Sequence, residues 1–326
     1  LRLATLDDGT RDGQLVLVDR AHARCLAVPG IAPSLQRALD DWESVRPLLE
    51  EASGALDRGK AAQARPFDAA LARAPLPRAY QWIDASGYLS HIERVRRARG
   101  AAMPPGFREE PVIYQGLSDR NLAWCEPLPA RDGWGADFEG ELAVIVGDVP
   151  QGVTPAQAAA HIRLLVLLND ISLRELIPGE LAKGFGFFQS KPASAYAPLA
   201  LTPDEFGAAW DGRVLSAEMR VQLNGRRVGQ LRTGGAEQHF SFPEIIAYAC
   251  RTRSLAAGTI VGAGTVANAD ESRGAACLAE VRVLEQLNEG QPRTPWLRAG
   301  DRLRISVADA HGAEPFGAIE QAVVEG

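Results

Sequence analysis

The residues best placed to do chemistry lie in Asp137-Phe138-Glu139-Gly140-Glu141-Leu142-Ala143-Val144. Residues 138–146 read as a strand, and side chains two apart on a strand share a face. Glu139 and Glu141 therefore project side by side. Two neighbouring carboxylates repel, which costs energy unless something positive sits between them. A divalent cation meets that need, and an all-oxygen ligand set favours Mg2+, Ca2+ or Mn2+ over zinc. The plainer reading is the solvated face of an alternating strand. The pair alone leaves both readings open.

More acids extend the pattern. Asp170 follows the apolar run 164–168 and Asn169. An acid at the end of a fully apolar strand stands at a sheet rim, although the same residue type also caps helices. Asp84, in Trp82-Ile83-Asp84-Ala85-Ser86, is a candidate fourth ligand or a simple turn aspartate. His91 opens His91-Ile92-Glu93-Arg94-Val95. An imidazole titrates near working pH and can take a proton from water. On a helix face it is equally an ordinary polar residue. His22, His161, His239 and His311 have no comparable context and read as structural.

The ordered set resembles the fumarylacetoacetate hydrolase family. Glu139-Gly140-Glu141 is followed by Asn169-Asp170-Ile171-Ser172-Leu173-Arg174 and then by Lys191. Asp84, His91 and Tyr114 precede it, and Gly264-Thr265 and Glu280 come after. The resemblance covers almost all of residues 75–326. Residues 1–74 resemble the small β-rich domain of the longer members, with weaker motifs. What the resemblance implies is an α+β fold: a mixed, β-rich sandwich or roll as catalytic domain with a small N-terminal β-rich domain. It implies metal ligands at Asp84, Glu139, Glu141 and Asp170. It implies a water-activating His91 oriented by Glu280, an active-site Lys191, and substrate contacts from Tyr114, Arg174 and Thr265. It also implies Mg2+ or Ca2+ as cofactor, with Mn2+ as a further choice, and a homodimer.

The implied reaction is hydrolysis of a carbon–carbon bond in a small 1,3-diketo acid, with fumarylacetoacetate as the expected substrate, giving fumarate and acetoacetate in tyrosine breakdown. Acylpyruvate hydrolysis and oxaloacetate or β-keto acid decarboxylation share the same enolate logic. A non-catalytic metabolite binder on the same fold is the alternative from another class. Two departures bear on the substrate. The family often has a Gln where this chain has Ile177, and Lys191 is followed by Pro192-Ala193-Ser194 rather than by the usual small, aromatic and Thr residues. A substrate-carboxylate contact could come from Arg94, Arg96, Arg97 or Arg99.

Several elements must position these groups. Residues 1–30 read as short strands with turns, 14–18 most clearly. Ser34 caps a helix whose apolar face is Leu35, Ala38, Leu39, Trp42 and Val45, with an end blurred by Pro47. Residues 52–66 read as a loose connection, which puts a domain boundary near residue 75. Thr154-Pro155 starts a helix. Asn224-Gly225 turns a hairpin over 218–229, and 241–251 form a capped helix. Residues 259–266, 279–284, 303–307 and 318–324 read as strands. So many strands with varied connections suit a mixed fold better than a doubly wound sheet.

Composition narrows the classes. In 326 residues, 46% are apolar and 23% charged, with a net charge of -6. No basic patch points to nucleic acid. No run offers the ~20 apolar residues of a membrane span, and the opening residues do not read as a signal peptide. The cytoplasm is the expected compartment. The four cysteines, Cys25, Cys125, Cys250 and Cys277, form no C-x-x-C pair and read as reduced and mostly buried.

Overall fold

The computed structural model describes every residue except 99–101 and 104. Its centre is an eleven-stranded sheet. The runs with fewest polar residues take its middle. Ile162–Asn169 pairs antiparallel with Gly140–Val146, which pairs antiparallel with Ile260–Thr265. Then come Trp82–Ala85, parallel to Ile260–Thr265, and Ile113–Gly116, antiparallel to Trp82–Ala85. A five-stranded sheet packs on one face, built from Glu218–Leu223, Arg226–Arg232, Arg302–Ala308, Ala318–Glu325 and Leu128–Ala130. Alternation along Gly140–Val146 explains how both faces are buried. Leu142, Val144 and Val146 enter the core between the sheets, while Ala143 and Ile145 enter a second core under the helices Leu35–Asp40 and Trp42–Asp57. The result is a mixed fold of sheets and helices, not a doubly wound one.

The N-terminal strands Arg2–Leu6, Gln14–Val18, Arg24–Ala27 and Arg65–Pro66 continue the large sheet outward. The join is the antiparallel pairing of Arg2 and Leu3 with Leu201 and Ala200. The division near residue 75 stands as a proposal, with that seam as its interface. The expected loose connection over 52–66 is in part regular, since residues 52–57 are helical and Arg65–Pro66 is a short strand. The helix Trp42–Asp57 runs through Pro47 and presents Trp42, Val45, Leu49 and Leu56 to the second core. The apolar spacing outweighs one lost backbone bond.

The hairpin turns at Asn224 and Gly225, both at positive φ, as a two-residue turn of the favoured twist demands. Capping boxes start Pro155–Ala159 and Phe242–Ala249. One expected strand is a helix: residues 279–284 lie inside Leu278–Glu289. Val281 and Val283 lend that stretch its strand-like look. The helix starts because the Asp137 carboxylate accepts from the Leu278 and Ala279 amides at 2.7 and 2.9 Å, and it stops at Gly290, at φ 83°. The four cysteines are free, and all but Cys125 are buried. No helix among the described residues is long and apolar enough to cross a membrane.

Candidate metal and acid–base site

The centre of the large sheet ends in acids. Asp84 lies in Trp82–Ala85, Glu141 in Gly140–Val146, and Asp170 directly follows Ile162–Asn169. Register brings them level: Glu141 is opposite Thr265 and Leu168, and Asn169 is opposite Gly140. Carboxylate oxygens of Asp84, Glu141 and Asp170 all lie within 4.8 Å of one another. Gly262 makes room, since a Cβ there would sit 2.4 Å from Asp84 Oδ1. Gly140 is needed on the other face, where a Cβ would press on Met219 Sδ at 2.8 Å.

Glu139 faces the same site but keeps different company. Its Oε2 accepts from Lys191 Nζ at 2.6 Å, and Nζ also donates to Asp170 Oδ2 at 2.7 Å. Its Oε1 accepts from Arg174 Nη2 at 2.7 Å, while Arg174 Nε donates to Asp137 at 2.8 Å. Burial works against a charged Glu139, but Lys191 and Arg174 hold its carboxyl far below the usual range. Burial likewise opposes the Lys191 charge, yet Asp170 and Glu139 raise its pKa above the ordinary lysine value. The expected set of four therefore divides into three clustered acids and one acid shared between two cations.

For Asp84 and Glu141 the favourable Lys191 charge is outweighed. Burial first, then the Asp170 charge, pushes Asp84 well above the carboxylate range. Burial, Asp84 and Asp170 do the same to Glu141. Asp84 Oδ1 and Glu141 Oε2 are buried without any hydrogen-bond partner. A buried acceptor left unpaired costs about 1–3 kcal/mol. Oxygen donors, excess negative charge and two unpaired buried oxygens fit a hard divalent cation. Asp170 is tied by Ser194 Oγ at 2.7 Å and by the Tyr114 hydroxyl. Tyr114 stays protonated, because burial and Asp170 both raise its pKa. Thr265 Oγ1 reaches Glu141 Oε1 only at 3.5 Å.

His91 sits in the first turn of the helix Leu89–Ala98, and Glu280 in the first turn of Leu278–Glu289. His91 Nδ1 is 2.6 Å from Glu280 Oε2. The other Glu280 oxygen accepts from Arg94 Nη1 at 2.5 Å, and Arg94 Nη2 donates to the carbonyls of Asn268 and Ala269 at 2.5 and 3.0 Å. Glu280 is fully buried, and turning away would break its short ion pair with Arg94. His91, Asp84, Glu139, Lys191, Arg174, Tyr114 and Thr265 line one cavity of about 530 Å³. Of the four candidate arginines, Arg94 is committed to Glu280, Arg97 lies 3.5 Å from Glu271, Arg96 lines the cavity, and Arg99 falls outside the described residues.

With this geometry stands a match over nearly the whole chain. Residues 81–324 match the sequence model of the fumarylacetoacetate (FAA) hydrolase C-terminal region, and residues 1–78 match fumarylacetoacetase N-terminal domain 2. The chain belongs to the fumarylacetoacetate hydrolase family. Its relatives in this family have varied activities. It is 26% identical over 239 residues to the oxaloacetate tautomerase YisK of Bacillus subtilis, covering 72% of this chain and 68% of that one. Its fold is similar to that of a putative HpcE protein from Mycobacterium smegmatis (TM-score 0.70, 19% identity, 100% and 99% of the two chains). It is also similar to that of maleylpyruvate hydrolase from Sphingobium sp. SYK-6, whose structure is a complex with manganese(II) and pyruvate (TM-score 0.66, 19% identity, 100% of each).

The family fold also explains which contributors stayed hidden in the sequence. Asp137 is fully buried and joins the two halves of the site, holding Arg174 and capping the helix that carries Glu280. Its signal was present in the motif, beside Phe138, but its partners lie far away along the chain. Ser194 and Arg94 were visible only as members of a loop and of a basic run. Glu280 occupies a helix, not the strand expected for it, because Asp137 and Cys277 start a helix there.

Proposed function

We propose that the protein hydrolyses the carbon–carbon bond between the two carbonyls of a 1,3-diketo acid. Its candidate substrates are fumarylacetoacetate and the acylpyruvates. The observation that carries this reading is the His91–Glu280 pair at 2.6 Å, with His91 lining the same cavity as Asp84 and Glu139. In a hydrolase such an oriented pair activates water.

Asp84, Glu141 and Asp170, with Glu139 beside them, would hold the divalent cation. When bound, it supplies Lewis-acid stabilisation of enolate charge. His91 donates Nδ1–H to Glu280, which leaves Nε2 to accept a proton from water. Glu280 fixes that tautomer and stabilises the imidazolium, and Arg94 fixes Glu280. Water adds to one carbonyl, and the bond from that carbon to the carbon between the two carbonyls breaks. Its electron pair passes to the departing enolate, which takes up the proton from His91. The products are a carboxylic acid and a ketone. Lys191 spends two of its three donors on Glu139 and Asp170, and the third can face the developing oxyanion.

A second reading is tautomerisation of an oxo acid, favoured by the relative named oxaloacetate tautomerase. Turnover in H2 18O separates the two. Hydrolysis places one 18O in the acid product and consumes the diketone absorbance with two products formed. Keto–enol interconversion without cleavage products would overturn the hydrolase reading.

A further inference from the structure

We infer that the acyl side of the substrate is an uncharged, apolar chain; this rests on the hydrolase reading and, within it, sets fumarylacetoacetate aside, since its acyl part ends in a carboxylate. The cavity changes character along the helix Leu89–Ala98. His91 stands at its start, and Val95, one turn on, lines the same cavity. Ile92 and Val95 are joined there by Val112, Ile177, Leu181 and Phe187. Ile177 and Leu181 are four apart on the short helix Ile177–Leu181, so they share a face. Phe187 is fixed edge-on to the Tyr114 ring, with centroids 5.2 Å apart. Val112 and Leu181 remain 58% and 49% exposed, apolar surface that a ligand chain would cover.

The cations along the cavity are largely paired already. Arg174 is matched by Asp137 and Glu139, and Lys191 by Glu139 and Asp170. Arg94 is matched by Glu280. Arg96 is the remaining cation among the described lining residues, and its Nη1 already donates to the Ala102 carbonyl at 3.0 Å. A carboxylate at the far end of an acyl chain would thus leave water for an apolar wall with no buried partner, which is costly. An alkyl chain gains about fourfold in binding per buried methylene.

The test is a series of 2,4-diketo acids with methyl, propyl and pentyl acyl ends, beside chains of equal length ending in a carboxylate. Specificity, kcat/KM, should rise about fourfold per methylene until the cavity is filled. The carboxylate-ended members should fall at least about tenfold below their apolar counterparts. Ile177→Arg should reverse that order. N-alkyl oxamates, which chelate but have no scissile carbon–carbon bond, should bind the Mg2+-loaded protein in the same order of chain length. If the oxamates follow that order while no diketo acid is cleaved, the hydrolase reading fails and the apolar subsite stands. If carboxylate-ended chains are preferred and Arg96→Ala removes the preference, the inference is overturned. Indifference to the chain in both binding and turnover overturns it as well.

Discussion

Adding a divalent cation should stabilise this protein, by an amount that grows with pH. Five buried carboxylates, Asp84, Asp137, Glu139, Glu141 and Asp170, face two cations, Lys191 and Arg174. The excess falls on Asp84 and Glu141, whose Oδ1 and Oε2 have no partner. Satisfying two such oxygens is worth about 2–6 kcal/mol before the ion's own dehydration. A free concentration near 100 times the dissociation constant corresponds to about 2.7 kcal/mol. For a chain of this size that is a rise in Tm of about 4 °C. The sign with pH follows from the pKa directions. Asp84 and Glu141 are raised in the ion-free fold, so their contribution is complete below the unfolded carboxylate pKa and is lost as pH rises through the raised values. Glu139 is depressed, so its contribution is present at neutral pH and lost only as pH falls through its lowered value. The ion competes with protons on Asp84 and Glu141, so the ion-induced shift should be larger at about pH 8 than at about pH 6. Calorimetry in EDTA against Mg2+, Mn2+ and Ca2+ measures this directly. Asp84→Asn should raise the ion-free Tm and abolish the shift. An ion-independent Tm at every pH, or a normal shift in Asp84→Asn, would refute the reasoning.

Four further outcomes are expected. His91→Ala should lower kcat by about 10²–10⁴ while leaving ion binding intact, and adding Glu280→Gln should cost little more, since the two act as a unit; steady-state kinetics on the three variants decide this. Asp137→Asn keeps an acceptor for the helix amides but loses the charge facing Arg174, so denaturant melts should show a loss of about 1.5–3 kcal/mol together with reduced kcat. Glu180 accepts from the amides of Phe188, Gln189 and Ser190 and from Ser190 Oγ, bonds that outweigh burial and hold its pKa at about 2. Its contribution is therefore present above the usual carboxylate pKa and lost as pH falls through about 2; in Glu180→Gln, exchange of those three amides should quicken about tenfold or more by hydrogen-exchange mass spectrometry. A fragment of residues 75–326 should melt below the full chain, because it bares the edge at Ala200 and Leu201; equal Tm values would show that this seam adds nothing to the stability of the larger unit.

The local half of the site could be read from the chain. Glu139 and Glu141 share a face because a strand repeats every two residues, and Asp170 ends a strand because Leu164 to Leu168 admit no other burial. What escaped is what depends on distant partners. The helix Leu278–Glu289 is started by Asp137, 141 residues earlier than Leu278, and no local pattern of Ala279, Val281 and Val283 announces that. Nor does the run Arg94-Val95-Arg96-Arg97 say which guanidinium turns inward; Arg94 does, because its face of the helix meets Glu280. Glu139 reads as one more acid beside Glu141, and only the placement of Lys191 and Arg174 shows that each of its oxygens accepts from a cation.

The seam between Arg2–Leu6 and Ala200–Leu201 also sets an order of events during synthesis. The first strand can form its hairpin with Gln14–Val18 almost at once, but its other edge has no partner until residue 201 leaves the ribosome. At about 5–20 residues per second, that wait lasts roughly 10–40 s. Through it, Leu3, Leu15 and Leu17, all fully buried in the finished protein, have nothing to pack on but the helices next in line. Expression of this chain should therefore respond to temperature and to chaperone supply more than its final stability would suggest.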